Sequence, residues 1–154
     1  MRSVPRTDVT LEEVAPDLAA AHARFMAVAY PGAVDLVTRE LLRILSGRLS
    51  HCSVCRNLRL QAAIDRGFDE SMVDHLEDPT NSGLPERQQV VLRLANAFLT
   101  APGRFPAEDW AVLERHYTAE QIAELLLDLV RFRPGSKLLV ASGREPEIDE
   151  LAYM

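Results

Sequence analysis

Two cysteines, Cys52 and Cys55, stand three residues apart in the stretch HCSVCRNLR, and the chain has no others. Three chemistries suit such a pair: dithiol–disulfide redox, half of a metal site, or the packing of two small apolar side chains on one helix turn. On a helix, positions i and i+3 share a face with Cβ atoms about 5–6 Å apart, a gap that a small rotation closes to a disulfide. A structural zinc site wants four ligands. No second cysteine pair is present, and the spacing of His51 and His75 does not favour them as the missing two. No metal and no cofactor are therefore expected.

The charge around the pair bears on its reactivity. Arginines 39, 43, 48, 56, 59 and 66 face two acids, Glu40 and Asp65, a local net of +4 in a chain of net −6. An electropositive setting lowers a thiol pKa, although a charge run is often only a solvated face. If Ser50 caps the helix, Cys52 falls in its first turn, where free N–H groups and the helix dipole also favour a thiolate. Glu40, twelve residues before Cys52, sits among the core-type residues Val37, Leu41 and Leu45. It either points into the junction with the cysteine helix as a general base or pairs with Arg43 at i+3 on the surface.

The elements that must position these residues read as helix almost throughout. TLEEVAPDLAAAHARFMAVAY opens with Thr10 and Glu13 in capping-box spacing, and Pro31-Gly32 ends it. AVDLVTRELLRILSG stops at Ser46-Gly47. Ser50 caps HCSVCRNLRLQAAIDRG, which Gly67 closes. A short DESMVDHLED helix follows, then ERQQVVLRLANAFLT after Pro85, AEDWAVLERHY after Pro106, and AEQIAELLLDLVRF, which Thr118 caps and Pro134-Gly135 ends. The expected fold is all-α, a compact bundle of six to seven helices in one domain over residues 1–154. The tail from about Ser142 is ordered only where it packs on a neighbour. Phe25, Met26 and Tyr30 either pack or line a substrate mouth, and Trp110 with Leu113 reads as core or interface.

Net negative charge offers no field for phosphates or anionic lipid, so neither nucleic acid nor a membrane is an expected partner. No run approaches the roughly 18 apolar residues of a membrane span, and no leader-like stretch opens the sequence. A cytoplasmic protein is expected. In that compartment thiols are kept reduced, and a cysteine pair is more often catalytic than a staple.

Glu40, the Cys52-x-x-Cys55 pair on a helix, Gly67 closing that helix and a short acidic helix after it make the chain similar to the alkylhydroperoxidase D-like, or carboxymuconolactone decarboxylase, family over most of its length. The resemblance implies an all-helical fold, homo-oligomers of two, three or six subunits, and a thiol peroxidase that uses neither metal nor haem. It implies Cys55 as the thiol that attacks a hydroperoxide, Cys52 as the resolving thiol and Glu40 as the base, with a disulfide or hydroperoxide as substrate and a separate thiol reductant as partner. The family places a histidine four residues after the second cysteine, where this chain has Arg59. Arginine holds a thiolate by charge but does not shuttle protons. His51 is the histidine at hand to substitute. The decarboxylase branch implies instead a small carboxylate held by an arginine such as Arg59, with dispensable thiols. A redox-sensing oligomer without turnover is the non-enzymatic reading.

Overall fold

The computed structural model describes residues 10–27, 32–141, 143, 148 and 150–154. Tyr30 and the expected stop at Pro31 lie outside them. Among the described residues, helices α1 (Leu11–Val14), α2 (Pro16–Ala27), α3 (Leu36–Leu49), α4 (Ser53–Asn57) and α5 (Gln61–Ile64) are followed by a 3-10 helix, Glu70–Leu76. Then come α6 (Glu86–Thr100), α7 (Ala107–His116) and α8 (Ala119–Ala141). Two two-residue strands, β1 (Leu58–Arg59) and β2 (Ala152–Tyr153), pair in parallel. The all-α class is right, but the helices are more numerous than the hydrophobic periodicity predicts, because the expected first and cysteine-bearing helices are each broken in two.

Local chemistry sets most helix starts. Thr10 and Glu13 close the capping box reciprocally, at 2.6 and 3.1 Å, yet α1 ends at Val14 because the residue before Pro16 is pushed out of the helical region. Asp35 caps α3 by accepting from the Thr38 N–H at 2.9 Å. Thr118 and Gln121 form a second reciprocal box at α8. Asp69 caps the 3-10 helix, and its hydrogen bonds from Ser71, side chain first and backbone second, hold its carboxyl below the usual carboxylate range.

Helix α3 is the axis of the molecule, packed against α8, α4 and α6. Its Leu41, Leu42 and Ile44 are fully buried with Val90, Val91 and Leu92 of α6, Leu113 of α7, and Leu125 and Leu129 of α8. An element enclosed this way must also satisfy its polar groups. Ser46 donates to the Leu42 carbonyl at 2.9 Å. Arg39 reaches α8, donating to both oxygens of the fully buried Asp128 at 2.8 and 3.1 Å, with Glu124 at 3.6 Å. Glu124 in turn accepts from the Ala33 N–H at 2.9 Å, which fixes the entry to α3. Trp110, offered as core or interface, is 41% exposed and meets Phe105 edge to face at 5.6 Å.

Two expected helix ends are overturned. Ser46-Gly47 does not stop α3, which runs to Leu49, and Ser50 is its C-cap rather than the N-cap of the next helix. Gly47 is there for close approach. A Cβ on it would lie 2.5 Å from the Cys55 Cβ and 3.0 Å from the Cys55 carbonyl carbon. Helix α8 likewise continues past Pro134-Gly135 to Ala141. A proline removes one ladder donor. The turns before it are anchored independently, by buried Leu125 and Leu129 and by Arg131 and Arg133, which donate to the Met26 and Leu99 carbonyls.

Glycine inside a helix ordinarily costs about 0.5–1 kcal/mol relative to alanine. Gly47→Ala is expected to reverse that sign and destabilise the chain by about 1–3 kcal/mol, because the methyl group overpacks against Cys55. Urea unfolding checks this, and a variant more stable than the parent would contradict the packing.

Candidate functional site

The expected helix over residues 51–66 is not continuous. After Ser50 the chain reverses at His51, which takes a left-handed conformation at φ 56°. The His51 and Cys52 N–H groups close the end of α3 on the Arg48 and Gly47 carbonyls, at 3.1 and 3.0 Å. The ring of His51 is exposed and has no hydrogen-bond partner among the described residues, so its place here is conformational. Cys52 is then the N-cap of α4 rather than a first-turn residue, and its sulfur accepts from the Cys55 N–H at 3.2 Å.

The two cysteines are joined in a disulfide with Cα atoms 5.3 Å apart, inside the ordinary range for such a bond. Their surroundings differ. Cys52 is fully buried beneath α4, while Cys55 is partly exposed.

Helix α4 ends at Asn57 because the chain leaves the helix for β1 and re-enters one at Gln61. Such a break strands backbone groups that must find partners. Glu40 and Arg43 supply several of them. Glu40 is fully buried and takes a two-pronged ion pair from Arg43 at 2.8 and 2.7 Å, and its Oε1 also accepts the Leu60 N–H at 3.0 Å. Arg43 donates to the Cys55 carbonyl at 3.1 Å and to the Leu58 carbonyl. The two alternatives for Glu40 are thus both half right: it points into the junction and it pairs with Arg43, but buried rather than at the surface.

Arg59 is also enclosed. Its guanidinium grips Glu70 with two hydrogen bonds of 2.8 and 2.6 Å, donates to the Leu58 carbonyl at 3.0 Å and to that of Arg56, and lies 6.0 Å from the Phe68 ring centre. Its guanidinium is engaged within the fold, and the residue also lines the polar cleft beside Arg56. The electropositive island is largely cancelled in the same way. Glu124 and Asp128 meet Arg39, Glu70 meets Arg59, and Glu77 approaches Arg48 at 3.8 Å, all carboxylates from outside the 39–66 segment. Arg56, beside Cys55, stays exposed at a polar cleft of about 590 Å³ with Arg48, Asn57 and Glu70. Among the described residues no cluster of three His, Cys, Asp or Glu side chains is arranged to hold a metal, and no helix is long and apolar enough to cross a membrane.

The tail takes an unforeseen place. Leu58 pairs with Ala152 and Arg59 with Tyr153, the Met154 N–H donates to the Arg59 carbonyl at 3.0 Å, and the Gln61 N–H donates to the Met154 carbonyl at 2.9 Å. Asn57 adds a bond to the Ile148 carbonyl. Ser142 itself and most of 144–149 lie outside the described residues. Each backbone bond contributes about 0.5–1.5 kcal/mol net, and ordering each residue costs about 1–2 kcal/mol. With Leu151, Tyr153 and Met154 left 42%, 60% and 67% exposed, little apolar burial offsets that cost, so the strand is lightly held.

A central helix carrying the buried carboxylate, a short capped helix carrying the cysteine pair, and the bundle around them define an all-α, alkylhydroperoxidase D-like fold. A crystal structure of a protein of unknown function from Agrobacterium tumefaciens, described as a candidate antioxidant defence protein AhpD, shares it with a TM-score of 0.74 over 94% of this chain and 100% of that one, at 12% sequence identity. Two uncharacterized proteins from strains of Mycobacterium tuberculosis are each 30% identical over 120 residues, 77% of this chain and 42% of the relative. The chain thus spans less than half the length of those curated relatives. No protein-family profile matches it.

Replacing one member of a buried ion pair leaves the other charge uncompensated, a loss of about 3–5 kcal/mol. Glu40→Gln is expected to fall in that range by urea unfolding, and the double change Glu40→Gln with Arg43→Met to recover part of it. A loss below about 1 kcal/mol for the single variant would show that the pair does not anchor the junction.

Proposed function

We propose that the chain is a thiol–disulfide oxidoreductase that cycles Cys52 and Cys55 between disulfide and dithiol and reduces hydroperoxides. The observation that carries the reading is the asymmetric disulfide: one cysteine buried as a helix cap, the other partly exposed on the same turn. In the reduced state the Cys55 thiolate attacks one oxygen of the hydroperoxide, the O–O bond breaks, and the alkoxide leaves as an alcohol after taking a proton. Cys55 is then a sulfenic acid. The Cys52 sulfur attacks it, water leaves, and the disulfide forms. An external dithiol returns two electrons and two protons by exchange at Cys55, so one hydroperoxide and one dithiol become an alcohol, water and a disulfide.

Glu40 enters as a positioning residue. Through Arg43 it holds the Cys55 carbonyl and the start of β1, and so fixes where the sulfur sits. Arg59 holds the 3-10 helix through Glu70 and shapes the cleft beside Arg56. The alternative of a small-carboxylate decarboxylase would place the carboxylate on an arginine of this cleft; Arg59 is paired there with Glu70, and Arg56 is exposed.

Cys55→Ser is expected to abolish hydroperoxide consumption, and Cys52→Ser to stall turnover while a mixed disulfide between Cys55 and the thiol donor accumulates, visible by mass spectrometry. Hydroperoxide loss undiminished in both variants would overturn the reading.

A further inference from the structure

The break after α4 exposes backbone groups on two sides of β1. Inward, the Leu58 carbonyl accepts from Arg43 and Arg59, and the Leu60 N–H donates to Glu40. On the other side, the Arg59 carbonyl and the Gln61 N–H form a short ladder edge, and the chain's own Met154 takes both. Hydrogen bonds of this kind select an extended backbone and leave side-chain identity open. The tail is seated by them and not by burial, since Tyr153 and Met154 remain mostly exposed.

We infer that this edge is a docking rail for an extended segment of the protein that exchanges thiols with Cys55, and that residues 151–154 occupy it until that partner displaces them. The inference rests on the thiol–disulfide reading above. Rail and sulfur form one unit, because the Arg43 guanidinium binds the carbonyls of both Cys55 and Leu58. The pairing is parallel, so residues preceding the paired stretch lie toward the cysteine end of the rail. The tail shows this: Leu151 lines the cleft with Arg56 and Asn57. A partner whose cysteine precedes its rail-binding residues brings that sulfur to the Cys55 side, and exposed Arg56 favours an acidic residue next to it.

The step balances without further reagents. The partner thiolate attacks the Cys55 sulfur, the Cys52–Cys55 bond breaks, and Cys52 leaves as a thiolate. A second thiol of the partner then attacks the mixed disulfide and frees Cys55. The partner's dithiol is oxidised to a disulfide, and its two electrons and two protons pass to this chain.

The test uses a fluorescein-labelled peptide of sequence Glu-Leu-Ala-Tyr-Met, the full chain, and a chain ending at Asp149. Saturable binding is expected to the shortened chain, and binding at least about tenfold weaker to the full chain, whose tethered tail competes at an effective concentration on the order of millimolar. Gln61 is the first residue of α5, and Leu60 before it sits at φ −82° and ψ 116°, which a following proline tolerates. Gln61→Pro therefore removes the rail's donor and is expected to weaken peptide binding about five- to tenfold. Gln61→Ala keeps that donor, loses only the side-chain bond to Asp65, and is expected to bind as the parent does. In the full chain Gln61→Pro should also speed amide exchange at Met154, an arm that decides the matter if the shortened chain does not fold. Unchanged exchange there, or no peptide binding to a folded shortened chain, overturns the rail.

On the shortened chain the peptide Cys-Glu-Leu-Ala-Tyr-Met is expected to open the disulfide faster than free cysteine does; equal rates overturn the partner's role. Dithiothreitol separates the two layers. If it reduces Cys52–Cys55 while no peptide binds, the rail fails and the redox reading stands. If peptide binds and dithiothreitol leaves the disulfide intact, the redox reading fails and takes the thiol-exchanging partner with it.

Discussion

The buried pair of Glu40 and Arg43 is the constraint on which the cysteine-bearing half of the molecule depends. A chain that leaves one helix at Asn57 and enters another at Gln61 strands carbonyl and N–H groups against the bundle, and each unsatisfied group there would cost about 1–3 kcal/mol. The pair answers several at once: Arg43 takes the Cys55 and Leu58 carbonyls, and Glu40 takes the Leu60 N–H. Burying two charges is expensive, and what makes it tolerable is that both ions spend their remaining capacity on backbone groups rather than on each other alone.

Charge at the site is consequently local. Counting along the chain puts four net positive charges between residues 39 and 66. Folding brings Glu70, Glu77, Glu124 and Asp128 from outside that stretch onto four separate roles with Arg59, Arg48 and Arg39. Beside Cys55, Arg56 stays exposed. A single exposed charge of this kind acts at short range, because salt screens it within roughly 10 Å.

Packing around the two cysteines is uneven. Gly47 lets α4 press against α3, which buries Cys52, and the reversal at His51 makes Cys52 the cap instead of a member of the helix. Cys55 is partly exposed beside an edge strand whose partner is held mainly by hydrogen bonds, its larger side chains staying exposed. Burial is concentrated in α3, α6 and α8, and the lightly held tail strand lies next to the cysteine pair.

Much of this was legible in the residues themselves. Apolar periodicity gave α3, α6 and α8, the boxes at Thr10 and Thr118 gave two helix starts, and the i, i+3 spacing gave a cysteine pair able to close, because each of these rests on neighbours along the chain. Three features did not follow from spacing: Arg59 paired with Glu70, Gly47 used for approach to Cys55 and not as a stop, and the tail laid beside Leu58 and Arg59. Each depends on a contact between segments far apart in the chain or on either side of a turn, and backbone hydrogen bonding at an edge carries almost no side-chain signal. Local propensity decided what kind of elements form; long-range satisfaction of buried charges and backbone groups decided where the helix breaks and which cysteine is buried.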